Sequence, residues 1–162
     1  MKLLALTLGF NAFWFLCVVG RDEWLWLTFP VLAIHLALVP RSLPMALSVS
    51  MLGITLDTLM IHFDLFAFDH GVMPFWLMSL WMGFGFYCWH LKPSLANMPI
   101  LVVMLGGATS AAASYYAGFK LGAVDFPFGD LLTLSLVFTS WAMLCAGLHW
   151  WSSREVKSHE AV

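Results

Sequence analysis

Long apolar stretches alternate with short polar breaks along the whole chain. Runs over residues 3–20, 23–39, 44–62, 73–91, 99–118 and 130–151 approach or exceed the roughly 18 residues that a helix needs to cross a bilayer. The breaks suit turns. Gly20 to Asp22 is one, Pro40-Arg41-Ser42-Leu43-Pro44 a second with prolines fit for a helix end and a helix start, and Lys92-Pro93 to Pro99 a third. Two connections are longer, Phe63 to Val72 and Phe119 to Gly129. Helices joined by such turns run antiparallel. The expected fold is all-α: a polytopic transmembrane helical bundle of about six spans, up-down and antiparallel. Residues 1–151 form its single domain, and 152–162 a polar cytoplasmic tail, disordered at its end.

The third run, PMALSVSMLGITLDTLMIHF, breaks its own pattern with Asp57. An ionised carboxylate in hydrocarbon costs about 2.5–3.5 kcal/mol on insertion scales, so it turns toward protein or water and often marks function. Ala46, Ser50, Gly53 and Asp57 recur at helical spacing and make one small, polar stripe. A second helix should pack closely there, with Asp57 at the joint. The fifth run offers a matching small surface in Gly107, Ser110 or Ala111, Ser114, and Ala117 or Gly118. At equal depth its Ser110, Ser114 and Tyr115 would bring hydroxyls to the Asp57 carboxyl, and Asn11 of the first run could complete a polar centre. Asp57, Asn11, Ser110, Ser114 and Tyr115 are thus the candidate binding residues, and Asp57 the candidate catalytic group. The plainer alternative is a neutral aspartic acid acting as hydrogen-bonding glue between helices, and Asn11 as a cross-link of the same kind.

Composition agrees with the membrane class. The 162 residues are 62% hydrophobic and 10% charged, with a mean hydropathy of +0.89. A net charge of −2 without a basic cluster gives no support to nucleic-acid binding. Lys2, Arg41, Lys92, Arg154 and Lys157 fall on one side of the bundle, against Arg21 and Lys120 on the other, which favours cytoplasmic N- and C-termini. The first run resembles a secretory signal, but Arg21, Asp22 and Glu23 follow it in place of a small-residue cleavage site, so it reads as an uncleaved helix. Six tryptophans near run ends suit an interfacial belt, whereas Trp14, Trp81 and Trp141 lie deeper and suit packing. Cys17, Cys88 and Cys145 stand singly, without metal or redox spacing.

Two histidine groupings remain. His35, His90 and His149 approach one face, where haem or metal ligation would need equal depths and a spaced motif that the sequence lacks. His62, Asp64, Asp69 and His70 crowd into HFDLFAFDH, with ligand types that suit a metal in an unestablished spacing. A solvated loop is the simpler reading there. No motif calls for a cofactor: HxxxH and HxxHH runs, a Walker A loop, HExxH and GxSxG are all missing. No internal repeat supports an inverted-repeat transporter core.

Asn11-x-x-Trp14, Pro74-x-Trp76, Leu80-Trp81-x-x-Phe84 and Tyr115-Tyr116-x-Gly118 followed by Leu121-Gly122 carry a resemblance that spans most of the chain. On these motifs the chain resembles a family of small proteobacterial inner-membrane proteins catalogued as a domain of unknown function. The resemblance implies an integral inner-membrane protein and a link to lipid metabolism, since such genes accompany fatty-acid-modifying enzymes. It assigns no role to any residue. Three readings follow. The chain binds membrane lipid or assists a membrane-associated lipid enzyme; it carries a small substrate or protons through Asp57; or it is an intramembrane lipid enzyme using Asp57 and Asn11, with or without the outer His and Asp residues, in acid–base roles. A lipid-shaped lateral cleft at Asp57 would favour the first or third, an aqueous vestibule the second, and tight packing would leave only a structural role.

Overall fold

The computed structural model describes residues 2–69 and 71–160. Its helices are α1 (Lys2–Gly20), α2 (Leu25–Leu38), α3 (Leu43–His62), α4 (Phe75–Asn97), α5 (Ile100–Lys120) and α6 (Asp130–Glu160). Single 3₁₀ turns, Arg21–Trp24 and Pro40–Ser42, link α1 to α2 and α2 to α3. Among the described residues there is no strand, only an isolated antiparallel bridge between Ala67 and Asp125. The all-α membrane class is what the apolar pattern demands.

The count of spans needs correcting. Four helical runs among the described residues are long and apolar enough to cross a membrane: Leu3–Leu38, Pro40–His62, Ile100–Lys120 and Asp130–Glu155. The first holds both α1 and α2. With 14 residues α2 makes about 21 Å of helix, less than the roughly 30 Å of a hydrocarbon core. The other shortfall is α4, whose Trp76, Trp81, Tyr87, Trp89 and His90 carry polar ring atoms and whose Lys92 adds a charge. Aromatic rings give α4 the look of an apolar run in sequence, and their polar atoms set its hydropathy below that of the other runs.

The chain forms two compact units, Met1–His90 with Phe119–Pro127, and Leu91–Gly118 with Phe128–Val162. In the first unit α4 is the helix that the others meet. Its residues from Trp76 to Cys88 bury Trp76, Leu77, Ser79, Trp81, Gly83, Gly85, Phe86 and Cys88. Along α3, Ala46 lies against Gly85, Ser50 against Met82 and Gly53 against Trp81, so the two helices run antiparallel. A Cβ on Gly85 would stand 2.6 Å from the Ala46 Cα, a distance that only glycine relieves. Along α1, Thr7 shares a 2.9 Å hydrogen bond with the Tyr87 hydroxyl, Phe10 stacks on Tyr87 at 4.7 Å, and Phe13 covers Gly83. That pairing is antiparallel too. From α2, His35 stacks on Phe86 at 4.3 Å.

The two longer connections of the first unit interlock. Ala67 and Asp125 exchange both backbone hydrogen bonds at 2.9 Å. Phe126 stacks between Phe66 at 5.8 Å and Phe119 at 4.7 Å, and Phe66 is 2% exposed. Ala123 and Val124 are buried beside them in sequence. Asp22 Oδ1 accepts the Trp76 backbone N–H at 2.9 Å, which satisfies one of the leading amides of α4. Arg21 donates to the carbonyl oxygens of Leu121 at 3.2 Å and Gly122 at 2.6 Å. Those bonds offset the strain of Arg21 at φ 48°, in the left-handed region that most side chains avoid.

In the second unit α5 and α6 run antiparallel. His149 Nε2 lies 3.2 Å from the Met98 oxygen, Cys145 faces Gly107, and Tyr115 meets the Trp141 ring edge-on at 6.4 Å. Lys92 pairs with Glu155, which also accepts the Trp151 indole N–H at 2.7 Å. Helix α6 continues past Trp151 to Glu160, through the segment that the sequence assigns to a polar tail.

Candidate functional site

The stripe on α3 is buried along its length: Met45, Ala46, Val49, Ser50, Gly53 and Asp57 make up the hidden face of the helix. Ser50 spends its hydroxyl proton on the Ala46 oxygen at 2.6 Å, which silences its polarity inside the bundle. Gly53 leaves room for an indole ring. Trp81 fills it, because a Cβ on Gly53 would strike that ring. In this position Trp81 Nε1–H donates to Asp57 Oδ2 at 2.6 Å. Both residues are 3% exposed. An indole N–H only donates, and a carboxyl oxygen accepts whether the acid is neutral or ionised, so the bond forms in either state. Asp57 stands five residues before the end of α3, about 7.5 Å from the loops along the axis. It is an enclosed carboxyl tying α3 to α4.

The other expected members of the polar centre are placed as follows. Asn11 is exposed on α1 and donates to the Thr7 oxygen of its own helix at 2.8 Å, so the expected pairing with Asp57 is not formed. In the second unit, Ser110 is exposed on α5, while Ser114 and Tyr115 are half-buried. Sequence reasoning reserved the place opposite the stripe for α5 and did not name Trp81 as a donor. The signal was available: a buried indole N–H needs an acceptor, and Asp57 is the acidic side chain within an apolar run.

Among the described residues no three His, Cys, Asp or Glu side chains converge on a point that could hold a metal. His62 is exposed and turned edge-on to Phe63 at 5.1 Å. Asp64 is exposed at φ 56°, and Asp69 lies 4.0 Å from Arg21. His70 lies outside the described residues. The rings of His35 and His90 meet at right angles, 5.3 Å apart, and two imidazoles fall short of a metal's usual ligand set. His149 belongs to the second unit, against Met98.

An open groove of about 500 Å³ runs along the second unit. Ala112 of α5 contributes a small floor, and α6 contributes two rows at spacing four: Asp130, Leu134 and Phe138, then Leu131, Ser135 and Thr139. Ser135 and Thr139 donate back to the Leu131 and Ser135 oxygens at 2.7 and 2.9 Å. Their hydroxyl protons are therefore spent, and the groove wall presents mostly methyl, methylene and ring surface. Asp130 lies at one end, in the first turn of α6. Sequence reasoning missed this groove, since its residues are ordinary for a lipid-facing helix.

Neither the curated proteins nor the solved structures include a match to this chain. Residues 3–147 match the family model described as "Protein of unknown function (DUF2878)". With nearly its whole helical length inside that match, the chain belongs to this family of unknown function.

Proposed function

We propose that this integral membrane protein is a non-catalytic lipid binder, accessory to a membrane-associated lipid-modifying partner, with one acyl chain lying in the groove of its second unit. The groove is the observation that carries this reading. About 500 Å³ falls within the roughly 300–1,000 Å³ of small-molecule sites, and its walls lack free donors that an acyl chain would strand. A carrier or an enzyme built on Asp57 would need that carboxyl within reach of a substrate. At 3% exposure, with Trp81 bonded to it, Asp57 suits the role of glue. The cytoplasmic placement of both termini rests on the Lys and Arg distribution, and the inner membrane on the family resemblance alone.

Photo-crosslinking tests this directly. Wild-type protein in bilayers doped with a phospholipid bearing a diazirine on its acyl chain should label the 131–139 segment. Ala112→Phe, which fills the floor of the groove, should cut that labelling severalfold. Labelling spread evenly over α1, α2 and α6 would refute the reading.

A further inference from the structure

The groove is polar at one end only. Asp130 holds a carboxylate at the first turn of α6, while Leu134 and Phe138 follow on the same row, one and two turns deeper. From Asp130 to Thr139 the helix rises about 13.5 Å, so the charge and the apolar floor are separated along a single track. An amphiphile lying there with its chain on Leu134 and Phe138 has its headgroup at Asp130. We propose that this lipid carries a primary ammonium headgroup, as phosphatidylethanolamine does, and that the Asp130 carboxylate selects it. The inference rests on the groove being a lipid site.

Charge complementarity decides the class. A carboxylate accepts charge-assisted hydrogen bonds from an ammonium, whereas phosphatidylglycerol offers it only the weaker, neutral hydroxyls of its glycerol. A choline headgroup is cationic as well, but it has no N–H to donate. The phosphate of a zwitterionic lipid need not be repelled by Asp130. The leading amides of α6 project from the same turn, as at the start of any helix, and a phosphate beside them leaves the ammonium to reach the carboxylate. Asp130 is exposed, so screening limits the effect to a preference of about three- to fivefold.

The test uses the full chain in lipid nanodiscs, with retained lipid read by native mass spectrometry. Phosphatidylethanolamine, phosphatidylcholine and phosphatidylglycerol with identical chains compete in equal amounts. The wild type should retain phosphatidylethanolamine about three- to fivefold over each of the others. Asp130→Asn should bring the ratios near one while total lipid retention holds, and Asp130→Lys should turn the preference toward phosphatidylglycerol. An unchanged preference in both variants, or a wild type without preference, overturns the headgroup assignment and leaves the groove intact. If Ala112→Phe retains lipid as the wild type does and acyl photo-labelling misses residues 131–139, the groove itself fails and the headgroup assignment falls with it.

Discussion

Replacing Trp81 with phenylalanine keeps an aromatic plate over Gly53 and removes the Nε1–H that reaches Asp57 at 2.6 Å. Both residues are 3% exposed, so bulk water has no ready access to the carboxyl. Interhelical hydrogen bonds within membranes average about 0.6 kcal/mol in double-mutant cycles and reach about 1.7 kcal/mol. The Trp81–Asp57 bond is short and enclosed at both ends, which places it in the upper part of that range. We therefore expect a coupling of about 1–1.7 kcal/mol between Trp81→Phe and Asp57→Leu. The wild type, both single variants and the double variant would be titrated with SDS in mixed micelles and their folded fractions read by pulse proteolysis. That readout does not depend on tryptophan fluorescence, which the substitution itself alters. A coupling below about 0.3 kcal/mol refutes the claim that this bond ties α3 to α4. Asp57→Asn supplies the companion measurement: its amide oxygen still accepts from Trp81, so it should lose less than about 1 kcal/mol, against about 1–3 kcal/mol for Asp57→Leu.

Gly85→Ala should cost about 1–3 kcal/mol in the same titration, because its Cβ meets the Ala46 backbone, whereas Gly106→Ala, with nothing within 4 Å, should cost nothing; equal effects would contradict the close α3–α4 approach. Asp22→Ala removes the acceptor for the Trp76 amide and should lose about 0.5–2 kcal/mol, with faster proteolysis between residues 63 and 74. For orientation, Asp69→Cys should react with an impermeant maleimide from outside the cell while a cysteine added after Val162 stays protected; Cys17, Cys88 and Cys145 are buried and give little background. Labelling of both positions from one side would exclude the present assignment of the termini.

What the sequence reveals here follows from periodicity. Ala46, Ser50, Gly53 and Asp57 recur at helical spacing, so their burial on one face of α3 was legible without coordinates. The identity of the helix opposite was not. Small residues on α5 and large aromatics on α4 both complement a small stripe, and periodicity cannot distinguish knob-in-groove packing from two flat surfaces. Trp81 therefore read as packing, when its ring nitrogen also serves Asp57. Asn11 misled for a related reason: an amide in an apolar helix has a partner available in its own preceding turn, here the Thr7 oxygen, and needs no second helix. In the connections, the phenylalanines of HFDLFAFDH looked like loop residues, yet Phe66 is hidden by Phe126 from a segment far along the chain. No local pattern announces such a pairing.

The bonds from Arg21 to the Leu121 and Gly122 oxygens have a consequence for biosynthesis, since they join positions 100 and 101 residues apart. At translation rates of about 5–20 residues per second, Arg21 leaves the ribosome some 5–20 seconds before its acceptors do. During that interval its guanidinium has no carbonyl partners from that segment, and its left-handed backbone lacks the bonds that offset its strain. The first unit thus cannot finish assembling when its own first 90 residues are inserted; it waits for Phe119–Pro127, and the second unit's α5 is threaded in the meantime. Ribosome-arrested chains ending before residue 119 should accordingly leave a Phe66→Cys probe open to maleimide, and the released full chain should protect it, because Phe66 is 2% exposed under Phe126. Equal reactivity in both would mean that the late segment does not close over the early one.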